Sequence, residues 1–164
     1  MKKFIIFIFS VFISCQIVAQ QDPQFSQYVF NNLSFNPGFT GSQQAICATA
    51  LHRSQWMGFE GAPVSTNLSV ESPVTLLNGG LGLNVLTDKI AQQEFLGINL
   101  SYAYRIELAG GNLGVGLSVG VLQDGVDVSS IVTQTQSDPN IPSSSDKASS
   151  FDLGLGLYLS LIHI

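Results

Sequence analysis

The stretches Gly80-Leu81-Gly82-Leu83-Asn84-Val85, Leu113-Gly114-Val115-Gly116-Leu117-Ser118-Val119-Gly120-Val121 and Leu153-Gly154-Leu155-Gly156-Leu157-Tyr158-Leu159 share one pattern, in which bulky aliphatic residues alternate with Gly, Ser, Asn or Tyr. In an extended backbone successive side chains point to opposite faces, so each stretch carries an apolar face and a face of small or polar groups. The polar side of a soluble strand usually bears charge, yet only 10% of this chain is charged. Lipid outside and a crowded polar lumen inside select such a pattern. It predicts an all-β chain, an antiparallel transmembrane β-barrel of the outer-membrane kind.

An export signal at the start agrees with that compartment. Lys2 and Lys3 precede the apolar run from Phe4 to Ile13, and Ile17-Val18-Ala19 offers a small residue for cleavage before Gln20, so residues 1–19 read as a signal peptide. Cys15 follows Phe12-Ile13-Ser14, a loose likeness to a lipoprotein box that lacks the usual Leu; the simpler reading is that Cys15 leaves with the signal. Cys47 then remains as the single thiol, which excludes an internal disulfide framework. No later apolar run is long enough for a spanning helix, so any crossing is by strands.

After the signal, the basic residues are Arg53, Lys89, Arg105 and Lys147, against 11 acidic residues in the sequence. That balance offers no footprint for nucleic acid. Residues 20–44 are polar and aromatic, with turn residues at Asn36-Pro37-Gly38 and Gly41 and no sustained period, and read as an irregular periplasmic entry segment. Residues 45–164 read as barrel strands, with candidates at Ala45–Trp56, Pro63–Ser72, Gly79–Thr87, Glu94–Ile106, Asn112–Gln123 and Ser150–Leu161. The first is the least cleanly sorted. The fourth is the clearest, with Leu96, Ile98, Leu100, Tyr102, Tyr104 and Ile106 opposed by Gly97, Asn99, Ser101, Ala103 and Arg105. Its two tyrosines fit an interfacial girdle or, equally, the core of a sandwich.

Pro73–Asn78 and Glu107–Gly111 are tight connections, whereas Asp124–Lys147 is long and rich in Ser, Asp and Pro. Barrels keep short turns on the periplasmic side, which directs the first strand outward and Asp124–Lys147 to the exterior. Strands of about ten residues suffice to cross a bilayer, but the smallest barrels have about eight of them. Six strands with a C-terminus that stops mid-pattern at Leu161-Ile162-His163-Ile164 imply the N-terminal part, or a truncated form, of a longer barrel.

No set of residues suggests catalysis, a cofactor or a resident metal. His52 and His163 lie far apart; His52, beside Arg53 on a strand, fits a hydrogen-bonding role in the lumen or at the interface. Cys47 has no partners at zinc spacing. Gly80-Leu81-Gly82 and Gly114-Val115-Gly116 continue in alternation, where a dinucleotide fingerprint requires a helix. The scattered Asp124, Asp127, Asp138, Asp146 and Asp152 do not form a calcium loop.

The most informative segment is Arg53-Ser54-Gln55-Trp56-Met57-Gly58-Phe59-Glu60-Gly61-Ala62-Pro63. A cation, a planar amide and an indole precede a turn with two glycines and a proline, which makes a rigid knuckle with aromatic anchors. Arg53, Gln55, Trp56, Gly58, Phe59, Gly61 and Pro63 are therefore candidates for partner binding. A plain hairpin turn, its Trp56 part of an aromatic girdle, explains the segment as well.

Several motifs taken together resemble one family. Gln21-Asp22-Pro23-Gln24-Phe25-Ser26-Gln27-Tyr28, Asn36-Pro37-Gly38-Phe39-Thr40-Gly41-Ser42, Arg53-Ser54-Gln55-Trp56 with Gly58, Gly61-Ala62-Pro63, Asp88-Lys89-Ile90, Asp138-Pro139 and Phe151-Asp152-Leu153-Gly154-Leu155-Gly156-Leu157-Tyr158 are similar to the PorP/SprF family of the type IX secretion and gliding machinery. Gly38-Phe39-Thr40 departs from the family's common Ala-Tyr-Ala. The resemblance implies a non-enzymatic outer-membrane protein. Its implied partners are membrane lipid, periplasmic ring and lipoprotein components, and the secreted surface proteins that the machine exports or anchors. The competing reading from the residues alone is a secreted soluble β-sandwich acting as an adhesin or binding module. A small barrel enzyme lacks a nucleophile and base pair.

Overall fold

The structure, a computed structural model, describes residues 25–108, 110–127 and 146–161. Residues 1–19, expected to be a signal peptide and holding Cys15, the first part of the entry segment, Asp138-Pro139 within the long connection, and His163 lie outside the described residues.

All six strand candidates form strands. They are β1 (Cys47–Ser54), β2 (Val64–Val74), β3 (Gly79–Ile90), β4 (Gln93–Leu108), β5 (Gly111–Val126) and β6 (Asp146–Ser160). Each pairs antiparallel with its neighbour in sequence, giving one open six-stranded sheet in the order β1-β2-β3-β4-β5-β6. Among the described residues no second sheet packs on it, so the arrangement is a barrel wall and not a sandwich.

Register carries the alternation of each strand across the whole sheet. One outward row runs through Ala50, Leu68, Val85, Ile98, Val121 and Phe151 and another through Ala48, Val70, Leu83, Leu100, Val119 and Leu153. Further rows, containing Leu155, Leu157 and Leu159 on β6, continue the apolar surface toward the β4–β5 turn. The opposite face carries Thr49, Ser69, Asn84, Asn99, Gly120 and Asp152 in one row and Leu51, Asn67, Leu86, Gly97, Leu122 and Ser150 in the next. Buried Ser65, Asn67, Ser69, Glu71, Asn84 and Ser101 all belong to this inner face, while Leu153 and Leu155 outside are 79% and 81% exposed. An uncovered apolar exterior around a polar interior inverts the order of a soluble protein and matches a strand wall in lipid.

The strands are longer than the ten or so residues expected, reaching 16 in β4 and β5. The apolar exterior is shorter. It spans Ile98–Ile106, Leu113–Val121 and Phe151–Leu159, about nine residues each, close to the roughly 9–11 that a tilted strand needs to cross a bilayer. Beyond it the outward row becomes polar, with His52, Thr66, Thr87, Gln123 and Ser149 flanking Leu96, and His52 Nδ1 lies 2.9 Å from Thr66 Oγ1. The following row holds the exposed Lys89–Glu94 ion pair at 2.8 Å. Strand pairing thus runs on past the apolar band, where polar side chains obscure the period.

Tyr102 and Tyr104 stand on the outer face near the β2–β3 turn, where Tyr102 Oη donates to the Leu77 carbonyl at 2.7 Å. On an uncovered face they fit a girdle, not a sandwich core. The weakly sorted β1 is also explained. It is an edge strand with half-buried Cys47, Thr49, Leu51 and Arg53 inward, and small Ala48 and Ala50 outward.

Candidate functional site: a knuckle at the rim and a segment inside the wall

The Arg53–Pro63 segment is the β1–β2 connection. Its ends are joined by the Gln55 N–H donating to the Pro63 carbonyl at 3.0 Å, and its tip by Phe59 N–H to Trp56 O at 3.0 Å and Ala62 N–H to Phe59 O at 3.3 Å. Gly61 O accepts from Ala91 N at 2.9 Å, which ties the knuckle to the β3–β4 turn. Gly58 and Gly61 occupy the left-handed region that favours glycine, and Trp56 is there too at φ 49°. A bulky aromatic residue in that region is strained by about 1–2 kcal/mol. The knuckle's own hydrogen bonds hold it in place.

The candidate residues divide by position. Arg53, Gln55 and buried Pro63 form the base, with the Gln55 amide oxygen, in its hydrogen-bonded orientation, accepting from Arg53 Nε and Nη2 at 3.1 Å. Trp56 and Phe59 form the tip with Gly58 between them, 71% and 76% exposed, and Met57 adds to the same apolar surface. Trp56 lies past the polar row of His52 and past Ser54 of the Lys89–Glu94 row, on the order of 15–20 Å along the chain from the last apolar row at about 3.3 Å per residue.

A second feature was hidden from pattern reading. From residue 25 the entry segment lies on the inner face of the sheet as three short 3-10 turns, Tyr28–Phe30, Asn32–Ser34 and Pro37–Phe39. Asn31 Nδ2 donates to Asn67 Oδ1 at 2.6 Å and Asn31 Oδ1 accepts from Ser69 Oγ at 2.8 Å, while Ser34 Oγ reaches Asn84 Oδ1 at 3.1 Å. Asn36 caps the third turn through Gly38 N–H at 2.9 Å, and its Nδ2 donates to the Leu157 carbonyl on β6 at 2.9 Å. Glu71 Oε2 accepts from Gly41 N–H at 2.7 Å, and Arg105 Nη2 donates to Phe39 O and Thr40 O at 3.1 and 2.6 Å. Phe39 meets Tyr158 edge-on at 5.0 Å between ring centres.

Small residues on the strands make the fit possible. A Cβ at Gly116 would collide with Pro37, one at Gly156 with Asn36 and Pro37, and one at Gly80 with the backbone of Thr40 and Gly41. Gly80, Gly116 and Gly156 are therefore a bed for the entry segment. The sequence signal that could have revealed this is the joint presence of Asn36-Pro37-Gly38-Phe39-Thr40-Gly41 and glycine at inward positions of β3, β5 and β6.

Over residues 17–161 the chain matches the family described as type IX secretion system membrane protein PorP/SprF. The chain belongs to the PorP/SprF family. No curated protein and no solved structure matches it. As a PorP/SprF chain it is a membrane component of type IX secretion, and the exterior of its sheet is apolar and uncovered, as on strands of membrane barrels. The match spans both the knuckle and the segment inside the wall of this PorP/SprF protein.

Proposed function

We propose that this PorP/SprF chain is a non-enzymatic outer-membrane component of the type IX secretion and gliding machinery. It supports export or anchoring of surface proteins by binding other parts of the machine. The observation that carries this is the knuckle. Its aromatic tip is exposed, constrained, backed by an Arg–Gln pair and raised beyond the apolar band, which is the composition of an interface anchor and not of a lipid contact.

We assign the two ends of the meander to different partners. The knuckle shares its end with the β3–β4 turn and the long β5–β6 connection, while the β2–β3 and β4–β5 turns lie at the other. With the long β5–β6 connection on the exterior, where such barrels carry their longer loops, the knuckle meets exported surface proteins outside the cell. The periplasmic ring and lipoprotein components meet the opposite end, where Leu76 is 94% exposed.

Membrane fractionation with N-terminal sequencing, combined with deletion of the gene, tests this reading. The protein should reside in the outer-membrane fraction with a new N-terminus near Gln20, and deletion should leave surface proteins unexported. A soluble periplasmic species, or normal export without the gene, would refute it.

A further inference from the structure

The entry segment has two unlike faces. Asn31, Leu33, Pro37, Gly38, Phe39 and Thr40 are buried, in turns that pack on β2 to β6. Tyr28, Val29, Phe30 and Phe35 are left 56%, 61%, 73% and 55% exposed, with Tyr28 and Phe35 packed edge-on at 6.0 Å. This apolar patch lies on the lumen side, where a water-filled pore would demand polar groups.

The sheet indicates what covers the patch. Among the described residues β1 pairs only with β2 and β6 only with β5, leaving both edges open. Open edges do not persist in lipid, so further antiparallel strands must close the sheet, and closure carries the wall around the entry segment to face these aromatic residues.

Building on the membrane-barrel reading proposed above, we infer that residues 25–41 are a fixed plug at the centre of the closed barrel. Its buried face is keyed into the glycine bed, and Tyr28, Val29, Phe30 and Phe35 pack against apolar lumen-side residues of the closing strands. The lumen is a solid core, and exported polypeptide does not pass through it. The protein then acts as a docking scaffold beside the export route.

The complete barrel, purified from its native membrane and inserted into a planar bilayer, tests this. The wild type should show no steady conductance, and Gly116→Leu, which drives a side chain into Pro37, should open a channel. A conducting wild type overturns the inference while leaving the membrane reading intact, as does a folded Gly116→Leu barrel that stays sealed. Failure of the wild type to insert would overturn both.

A second measurement does not depend on Gly116→Leu folding. In a Cys47→Ser background, Phe30→Cys should react with a membrane-impermeant maleimide at least tenfold more slowly than Met57→Cys when both barrels are intact. Similar rates would show that water reaches the apolar face of the segment and would refute a solid core.

Discussion

Glu71 on β2 and Arg105 on β4 hold the same stretch of backbone from opposite chemical sides: the carboxylate accepts the Gly41 N–H, and the guanidinium donates to the Phe39 and Thr40 carbonyls. Two strands are thereby fixed to one turn of the entry segment. Both charged groups have partners that lie within the wall and not in water.

Hydrogen bonds to charged groups contribute roughly 1.5–3 kcal/mol each. Arg105→Ala should therefore lower the stability of the complete barrel by about that much in denaturant unfolding from detergent. Glu71→Ala should behave similarly. Because both act on residues 39–41, their double mutant should lose less than the sum, with a coupling of about 0.5–3 kcal/mol. Strict additivity would mean the two do not share this segment.

Asn67 is almost fully buried, and its Oδ1 accepts from Asn31 Nδ2 and Ser34 Oγ. Asn67→Leu should cost more than a surface change on the same strand, on the order of 1–3 kcal/mol, because it strands buried donors. The Asn31 and Ser34 backbone amides should exchange hydrogen faster in this variant. Unchanged exchange would separate the segment from the inner face.

Leu155 stands in the middle row of the apolar exterior, paired with Leu117, whereas Ser101 faces inward. Leu155→Arg should cost about 2–4 kcal/mol in lipid, as charged residues do near a bilayer midplane. Ser101→Ala should cost much less. Equal losses in vesicle-folding titrations would contradict the register.

Strands and their faces were legible in the sequence because one face is apolar and uncovered and the other packs on the entry segment, and a period of two records it. Strand ends were not. From Gln123 to Val126 the outer row of β5 has left the lipid, so polar residues occupy both faces and pairing continues without a pattern. The entry segment was illegible for another reason. Its turns are fixed by distant partners, Asn67, Asn84, Glu71 and Arg105, whose contacts leave no local period. The knuckle was visible from its composition, but its tie to Ala91 and the left-handed Trp56 needed the fold.

For the knuckle, Arg53→Ala and Trp56→Ala should leave the amount of protein in the membrane close to normal. Export of surface proteins should fall, more consistently for Arg53→Ala, since Trp56 also shapes the turn. Quantifying both variants in the membrane and their exported surface proteins by immunoblot checks this. Normal export from both would remove the partner role, and loss of assembly would return Trp56 to a structural one.

The central claim is that the alternating strands form a lipid-facing wall. It is tested most directly by placing single cysteines from Ile98 to Ile106 of β4 in a Cys47→Ser background, labelling each with an environment-sensitive fluorophore, and reading quenching by lipid-borne nitroxides in vesicles. The account predicts strong quenching at residues 98, 100, 102, 104 and 106 and weak quenching at 99, 101, 103 and 105. Uniformly weak quenching, with water-soluble quenchers reaching the even positions, would contradict it.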